Sequence, residues 1–360
     1  MKMEVLSIGQ ICSRFSSGKN ITAANIHEFG LYPVYGGNGL RGFTNSYNYD
    51  GECAIIGRQG AYCGNVKYVL GKSYMSEHAI VAVTNPNHNN RYFAYKLSLA
   101  KLGRFSGQAA QPGLSVTKLL RLKFEMPSRQ YQDRVASILS TYDSLIENNT
   151  KRIRILEKMA ENLYKEWFVR FRFPGHENVK MVNGLPNGWK KGALSDVCEF
   201  KRGKNITSSE MKDGTIPVIS AGITPSGFHS HANVYGISVT MSSSGANAGY
   251  IAVHYSDIWA ADCSYIEEAS TPCIYYVYEL LNNIRSIINN FQRGAAQPHV
   301  YPKDINRIKM IIPSEDIRKK ANEKIGVIHR HIDNLQRQNS LLARQRDLLL
   351  PRLMSGKLEV

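Results

Sequence analysis

The sequence predicts an α+β fold: two tandem globular domains, each followed by a long helix, with the second half repeating the first. Three observations carry this. Phe15-Ser16-Ser17-Gly18-Lys19-Asn20-Ile21-Thr22 returns as Phe200-Lys201-Arg202-Gly203-Lys204-Asn205-Ile206-Thr207, 185 residues later. Ala109-Ala110-Gln111-Pro112 returns as Ala295-Ala296-Gln297-Pro298, and Pro127-Ser128 as Pro313-Ser314, both 186 residues later. Each copy then changes from turn-rich, β-rich sequence to a long stretch with heptad spacing.

The first mixed domain is expected over 1–127. Its turn signals are Gly36-Gly37-Asn38-Gly39 and Gly57 to Gly64. Apolar β-branched runs such as Ala79-Ile80-Val81-Ala82-Val83 lie between turns, and a helix is expected near 89–101. The second mixed domain, 187–313, has the same character. Ser242 to Gly249 is its turn cluster, Tyr250-Ile251-Ala252-Val253 a strand, and a helix is expected near 273–291.

The helical segments are 128–170 and 314–360. The first carries Tyr142, Ile146, Asn149, Ile153, Leu156, Ala160, Leu163 and Trp167, alternating steps of four and three. The counterparts are Ile328, Ile332, Leu335, Asn339, Leu342, Arg346, Leu349 and Leu353, with Arg346 the least apolar. Asn149 aligns with Leu335 and Ile153 with Asn339. A buried Asn in such a seam costs stability and fixes register, whereas an Asn at a wet edge does neither. A helix over about 130–168 would be ~58 Å long. Ser314, ahead of Glu315 and Asp316, reads as an N-cap, and Pro351 and Gly356 read as the end of the second helix. Between the copies, 171–186 reads as linker within an exposed, Gly- and Pro-punctuated stretch, 169–192.

Lysine and arginine number 45 against 29 acids, a net charge of +16 that points to a polyanionic partner. No stretch approaches the ~20 apolar residues of a membrane span, and the N-terminus has no apolar signal region, so the expected place is the cytoplasm. The six cysteines contain no Cys-x-x-Cys pair, which argues against zinc, and disulfides are not expected. Cys12 and Cys198 are repeat partners expected to be buried thiols.

Several spellings of catalytic motifs fail on context. Gly37-Asn38-Gly39-Leu40-Arg41-Gly42 has no amphipathic helix after it and reads as a hairpin, not a dinucleotide site. Ser115-Val116-Thr117-Lys118 is expected in a loop-to-strand region without companion motifs. Glu77-His78 is placed opposite Asp262-Cys263 in the repeat, so a shared catalytic histidine is not expected.

Binding chemistry is expected in loops that mix donors with glycine. In the first copy these are Lys19, Asn20, Arg58, Gln59, Tyr62 and Gln108, with Gln111 beside them. In the second they are Lys204, Asn205, Ser243, Ser244, Asn247 and Arg293, with Gln297. Arginine and lysine read guanine edges, Asn and Gln read adenine edges, and lysines also clamp phosphates. Residues identical in both copies are expected to build the fold or touch backbone, and Arg58-Gln59 against Ser243-Ser244 to read bases.

This layout resembles the DNA-specificity subunit of type I restriction-modification systems. The resemblance rests on an ordered set. Gln111-Pro112 and Gln297-Pro298 stand before the helices, and Leu185-Pro186-Asn187-Gly188-Trp189 leads into Leu194-Ser195-Asp196-Val197-Cys198. The first helix ends Leu163-Tyr164-Lys165-Glu166-Trp167-Phe168, the second Leu348-Leu349-Leu350-Pro351-Arg352-Leu353-Met354-Ser355-Gly356. Met3-Glu4-Val5-Leu6-Ser7-Ile8 lacks the lead-in seen at 185–189, which implies a first domain trimmed by a few residues.

The resemblance implies that 1–127 and 187–313 are target-recognition domains. Each would read half of a bipartite, asymmetric site on double-stranded DNA. The helices would form an antiparallel coiled coil with a pseudo-twofold axis and set the unread spacer. The chain would be non-catalytic and would dock two methyltransferase subunits and restriction/translocase subunits. S-adenosylmethionine, ATP and magnesium would belong to those partners. A self-contained DNA-modifying enzyme or a coiled-coil scaffold without DNA readout are the other readings.

Overall fold

The computed structural model describes residues 3–60, 62–107, 113–294, 298–358 and 360. The chain divides into two compact units, Met1–Asn148 with Asn339–Val360, and Asn149–Gln338. The division falls inside the long helices, so each unit holds one mixed α+β part and a stretch of each helix.

In unit one the strands are β1 (Glu4–Ser7), β2 (Cys12–Ser17), β3 (Tyr32–Gly36), β4 (Gly39–Thr44), β5 (Glu52–Gly57), β6 (Val66–Leu70), β7 (Tyr74–Met75), β8 (Ala79–Thr84) and β9 (Lys123–Met126). They form a four-stranded sheet β2-β8-β5-β6, a three-stranded sheet β4-β3-β7 and the pair β1-β9. β8 is central and buried, which is why its sequence is a continuous apolar run without polar alternation. The helix Asn90–Leu99 starts where Asn89 accepts from the Tyr92 amide at 2.9 Å. It buries Tyr92, Phe93, Ala94 and Leu97. Val135, Ala136 and Leu139 of the first long helix and Leu350, Leu353 and Met354 of the second complete this core.

Unit two repeats the plan. After the short hairpin β10 (Met181–Val182) and β11 (Leu185–Pro186) come β12 (Lys190–Ala193), β13 (Lys201–Arg202), β14 (Ile216–Ile219), β15 (Gly227–His229), β16 (Ser238–Ser242), β17 (Ile251–His254), β18 (Trp259–Ala260), β19 (Cys263–Glu267) and β20 (Lys309–Ile312). The sheets are β13-β19-β16-β17, β15-β14-β18 and β12-β20, the same strand order as in unit one. The expected second helix is broken into Ile274–Asn283 and Arg285–Asn289.

Strand register sharpens the repeat. Gly57 stands opposite Ala79, and Ser242 opposite Cys263. Tyr35 stands beside Met75, and Ile219 beside Ala260. The offset is therefore 185 at β5 and β7 but 184 at β8. Unit one has one additional residue between β7 and β8, and the counterpart of Asp262 is His78, not Glu77.

The repeated anchor has a geometric cause. The Gly18 amide donates to the Ala79 carbonyl at 3.0 Å and the Lys19 amide to Met75 at 2.9 Å. The Gly203 amide donates to Cys263 and the Lys204 amide to Ala260, both at 2.9 Å. A Cβ on Gly18 would lie 2.2 Å from the Met75 carbonyl oxygen, and one on Gly203 2.4 Å from that of Ala261. The chain leaves one sheet here and joins the other, and only glycine fits the crossing.

The long helices run Arg129–Tyr164 and Glu315–Met354. The first ends in a π-type turn, Lys165–Val169. Each unit pairs them antiparallel. In unit one Tyr131 Oη donates to the Leu353 carbonyl at 2.9 Å and Arg346 meets Asp143; in unit two Asn149 Nδ2 donates to Gln338 Oε1 at 3.4 Å. Along the seam Asn149, Ala160, Ile332 and Leu335 are buried, while Ile146, Ile153, Leu156, Leu163, Asn339, Leu342 and Leu349 are half-buried.

Further expectations change. Pro351 does not stop the second helix, which continues to Met354; in the last turn a missing amide removes only one bond. Gly356, at φ +71°, follows the helix end. Ser115 caps a short helix, Val116–Leu120, by accepting from the Lys118 amide at 3.4 Å, so this is not a loop-to-strand region. The stretch 169–192 is not wholly exposed: Phe173 and Trp189 are buried, stacked 5.4 Å apart beside Phe168. Cys198 is buried but Cys12 only half so, and all six cysteines are free thiols.

Candidate nucleic-acid interface

Of the expected contact residues, Arg58 and Gln59, and Ser243 and Ser244 in the second copy, follow β5 and β16 at one corner of each four-stranded sheet. In unit one the Arg58 amide is bonded to the His78 carbonyl at 2.9 Å, and the Leu114 amide returns to the Arg58 carbonyl at 2.9 Å. These bonds fix the loop after β5. The half-buried Arg58 side chain donates from Nη1 to Ser17 Oγ at the end of β2, at 3.2 Å. Gln59 is exposed, with Oε1 3.0 Å from His78 Nδ1, and His78 Nε2 lies 2.9 Å from Glu77 Oε1. Burial pushes the Cys63 thiol pKa up, and its Sγ donates to the Arg58 carbonyl. Tyr62 is exposed.

Lys19 and Asn20 lie on the anchor, beyond β2. Their side chains are exposed, and the Asn20 carbonyl accepts from Tyr74 Oη at 2.9 Å. Lys204 and Asn205 repeat this, with the Lys204 carbonyl accepting from Trp259 Nε1 at 2.9 Å. The backbone of these pairs builds the fold, and the side chains project to solvent.

The second copy departs from expectation. Ser243 is 1 % exposed, its Oγ 3.4 Å from Ser264 Oγ. Ser244 is 7 % exposed and donates to Asp262 Oδ2 at 2.6 Å. Neither hydroxyl is offered to a base edge. Asn247 is half-buried in the following turn. Arg293 is exposed and ion-paired, its Nη2 3.0 Å from Asp304 Oδ2. Gln108, Gln111 and Gln297 lie outside the described residues.

Lys201 and Arg202, which the sequence did not single out as candidates, stand at the same corner on β13. Arg202 Nη2 lies 3.0 Å from Asp262 Oδ1, its side chain about half exposed. Lys201 is bonded to Glu267 at 2.6 Å, which raises the lysine pKa. Unit one also has a cleft of about 680 Å³ beside the Arg58 loop, floored by Gly36, Gly37 and Gly57 and edged by Lys67, Lys101 and Arg104. Among the described residues that line it are three cations and no acid, a lining that favours an anion. Among the described residues no cluster of His, Cys, Asp or Glu is arranged to hold a metal ion, and no helix is long and apolar enough to cross a membrane.

The family described as type I restriction modification DNA specificity domain matches residues 1–158 and 186–344, once for each copy. The chain belongs to this family. Its two specificity-domain copies have curated relatives. Over 160 residues the chain is 38 % identical to the type I restriction enzyme EcoprrI specificity subunit of Escherichia coli, covering 43 % of this chain and 40 % of that protein. Over 300 residues it is 27 % identical to the MjaIX specificity subunit of Methanocaldococcus jannaschii, covering 75 % of this chain and 68 % of that one. Among solved structures, the S subunit of a type I restriction-modification system from M. genitalium superposes with a TM-score of 0.66 at 18 % identity, over 98 % of this chain and 96 % of the other. The two specificity-domain copies thus share the tandem S-subunit fold.

Proposed function

We propose that this chain is the sequence-recognition subunit of a type I restriction-modification complex. In this reading it binds double-stranded DNA at a bipartite, asymmetric target. The observation that carries the reading is the duplicated sheet corner: two copies of one scaffold present different polar groups at the same place. One scaffold repeated gives two similar footprints, and different side chains give two different half-sites. The net charge of +16 supplies the attraction to a polyanion.

The antiparallel helices act as the ruler. The length of helix between the mixed domains sets the unread spacer. An internal repeat with antiparallel helices offers two like docking faces, which suits two methyltransferase subunits. Restriction subunits join that complex. S-adenosylmethionine, ATP and magnesium act in the partners, and this chain contributes no catalytic residue. The place of action is the cytoplasm.

The test is genome-wide methylation mapping in a host carrying the chain together with its methyltransferase partner. The expected result is one bipartite, non-palindromic motif. A palindromic motif, or methylation without sequence preference, overturns the proposal. The chain alone with S-adenosylmethionine and DNA should leave the DNA unmodified; methyl transfer by it would favour a self-contained enzyme.

A further inference from the structure

We propose that Arg202 is the base-contacting arginine of unit two, and that it takes the place held in unit one by Arg58. The ligand is the major-groove edge of a guanine. The inference rests on the DNA-recognition reading above and names residues within it.

The argument is a positional exchange. Ser17 ends β2 and Arg58 follows β5, and the two touch, Nη1 to Oγ at 3.2 Å. Their repeat counterparts are Arg202, ending β13, and Ser243, following β16. In unit one the arginine rises from the β5 side and the serine from the β2 side. In unit two the arginine rises from the β13 side and the serine from the β16 side. Each sheet corner therefore holds one arginine and one serine, in swapped positions. Both positions flank the strand that starts at Ala79 or Cys263. The guanidinium is thus delivered to the same corner by a different strand.

The neighbours show what such an arginine reads. Asp262 binds Arg202 through Oδ1 at 3.0 Å and is itself held by Ser244 through Oδ2 at 2.6 Å. A carboxylate braced from one side holds the guanidinium through one N–H and leaves the side chain about half exposed. The planar fork has donors left that match guanine O6 and N7. The same carboxylate repels a phosphate, so backbone contact is disfavoured at this spot. Buried Ser244 then has a role other than base contact: it positions Asp262, which positions Arg202.

The test is methylation mapping of Arg202→Ala, Arg202→Lys and Arg58→Ala in the assembled complex, with thermal melts as the folding check. For Arg202→Ala the expected result is loss of one guanine preference in one half-site, by on the order of 10- to 100-fold, with the other half-site intact. Arg58→Ala should relax the other half-site only. Arg202→Lys keeps the charge but loses the fork, and should relax the same position as the alanine variant. An unchanged motif at unchanged rate in a folded Arg202→Ala overturns the inference while DNA recognition stands. A uniform fall in methylation with the motif intact makes Arg202 a phosphate contact and also overturns it. Absence of any motif in the unaltered complex defeats the recognition reading itself. Should Arg202→Ala not fold, Arg202→Lys decides by the same criteria.

Discussion

Arg346 Nη1 and Asp143 Oδ1 meet at 2.8 Å between the two long helices of unit one. Arg346 holds a heptad position where its repeat counterpart is Ala160, buried in unit two. The arginine is tolerated because both Asp143 and Asp347 accept from its guanidinium and Asp143 belongs to a wider polar network. Asp143 also accepts from Tyr95 Oη, and Arg91 Nη2 lies 3.6 Å away. Arg346→Ala leaves a half-buried carboxylate with weaker support. The expected cost is about 1–3 kcal/mol in urea unfolding. The paired change Arg346→Leu with Asp143→Leu should recover only part of it, because apolar packing replaces both charges while Tyr95 and Arg91 lose their acceptor. Unchanged stability in Arg346→Ala would show that the ion pair is not what holds this level of the seam.

Unit two should be acid-sensitive through His254. Its Nε2 lies 2.8 Å from Thr240 Oγ1, and burial lowers its pKa from 6.5 to about 4. Below pH 6.5 the unfolded chain takes up a proton that the folded chain refuses until about pH 4. Stability present above pH 6.5 is therefore lost as pH falls toward 4, at up to ~1.4 kcal/mol per pH unit. Burial lowers the His88 pKa too, so unit one adds to the loss in the same direction. In His254→Gln the fall in urea midpoint between pH 7 and pH 4.5 should be visibly shallower. An identical fall in both proteins would assign the acid sensitivity elsewhere.

The two anchor glycines should each govern their own unit. Gly18→Ala sets a methyl 2.2 Å from a carbonyl oxygen of β7, and Gly203→Ala one 2.4 Å from the Ala261 carbonyl oxygen after β18. Backbone must move in either case, at a cost of about 1–3 kcal/mol or more. Hydrogen exchange should show lost protection in unit one for the first variant and in unit two for the second. Equal loss across the chain in either variant would mean that the units do not unfold separately.

The repeat, the strand-rich character of both halves and the heptad seam were legible because they are patterns of spacing, and spacing survives without coordinates. The corner proposed for recognition was only half legible. Arg58-Gln59 is a polar pair between glycines, and the repeat offset leads from it to Ser243-Ser244. The exchange lies one strand away, at Ser16-Ser17 against Lys201-Arg202. That mismatch sits inside the repeated anchor itself. Sequence could not place it beside Arg58, because the neighbourhood of β2 and β5 is made by β8 running between them. The additional residue before β8 likewise shows only in the pairing of Ala79 with Gly57 and of Cys263 with Ser242. Burial of Ser243 is invisible to a reading that treats serine between glycines as a loop donor.

Removing one heptad from each long helix should shorten the spacer of the DNA target. The matched segments are 147–153 and 333–339, repeat counterparts on the two helices. Deleting both keeps the seam in phase, since seven residues restore the same positions. Seven residues of helix span about 10 Å, close to three base pairs at 3.4 Å each. The deletion takes out the Asn149–Gln338 bond together with the seam residues Ile153 and Leu335, so the melting temperature should fall somewhat while the pairing on either side is kept. The expected motif keeps both half-sites and loses about three base pairs of spacer. Deleting from one helix only should instead break the pairing of Asp143 with Arg346 or of Asn149 with Gln338 and lower the melting temperature further. Methylation mapping of the double deletion reads the spacer directly, and an unchanged spacer in a folded, active complex would refute the ruler.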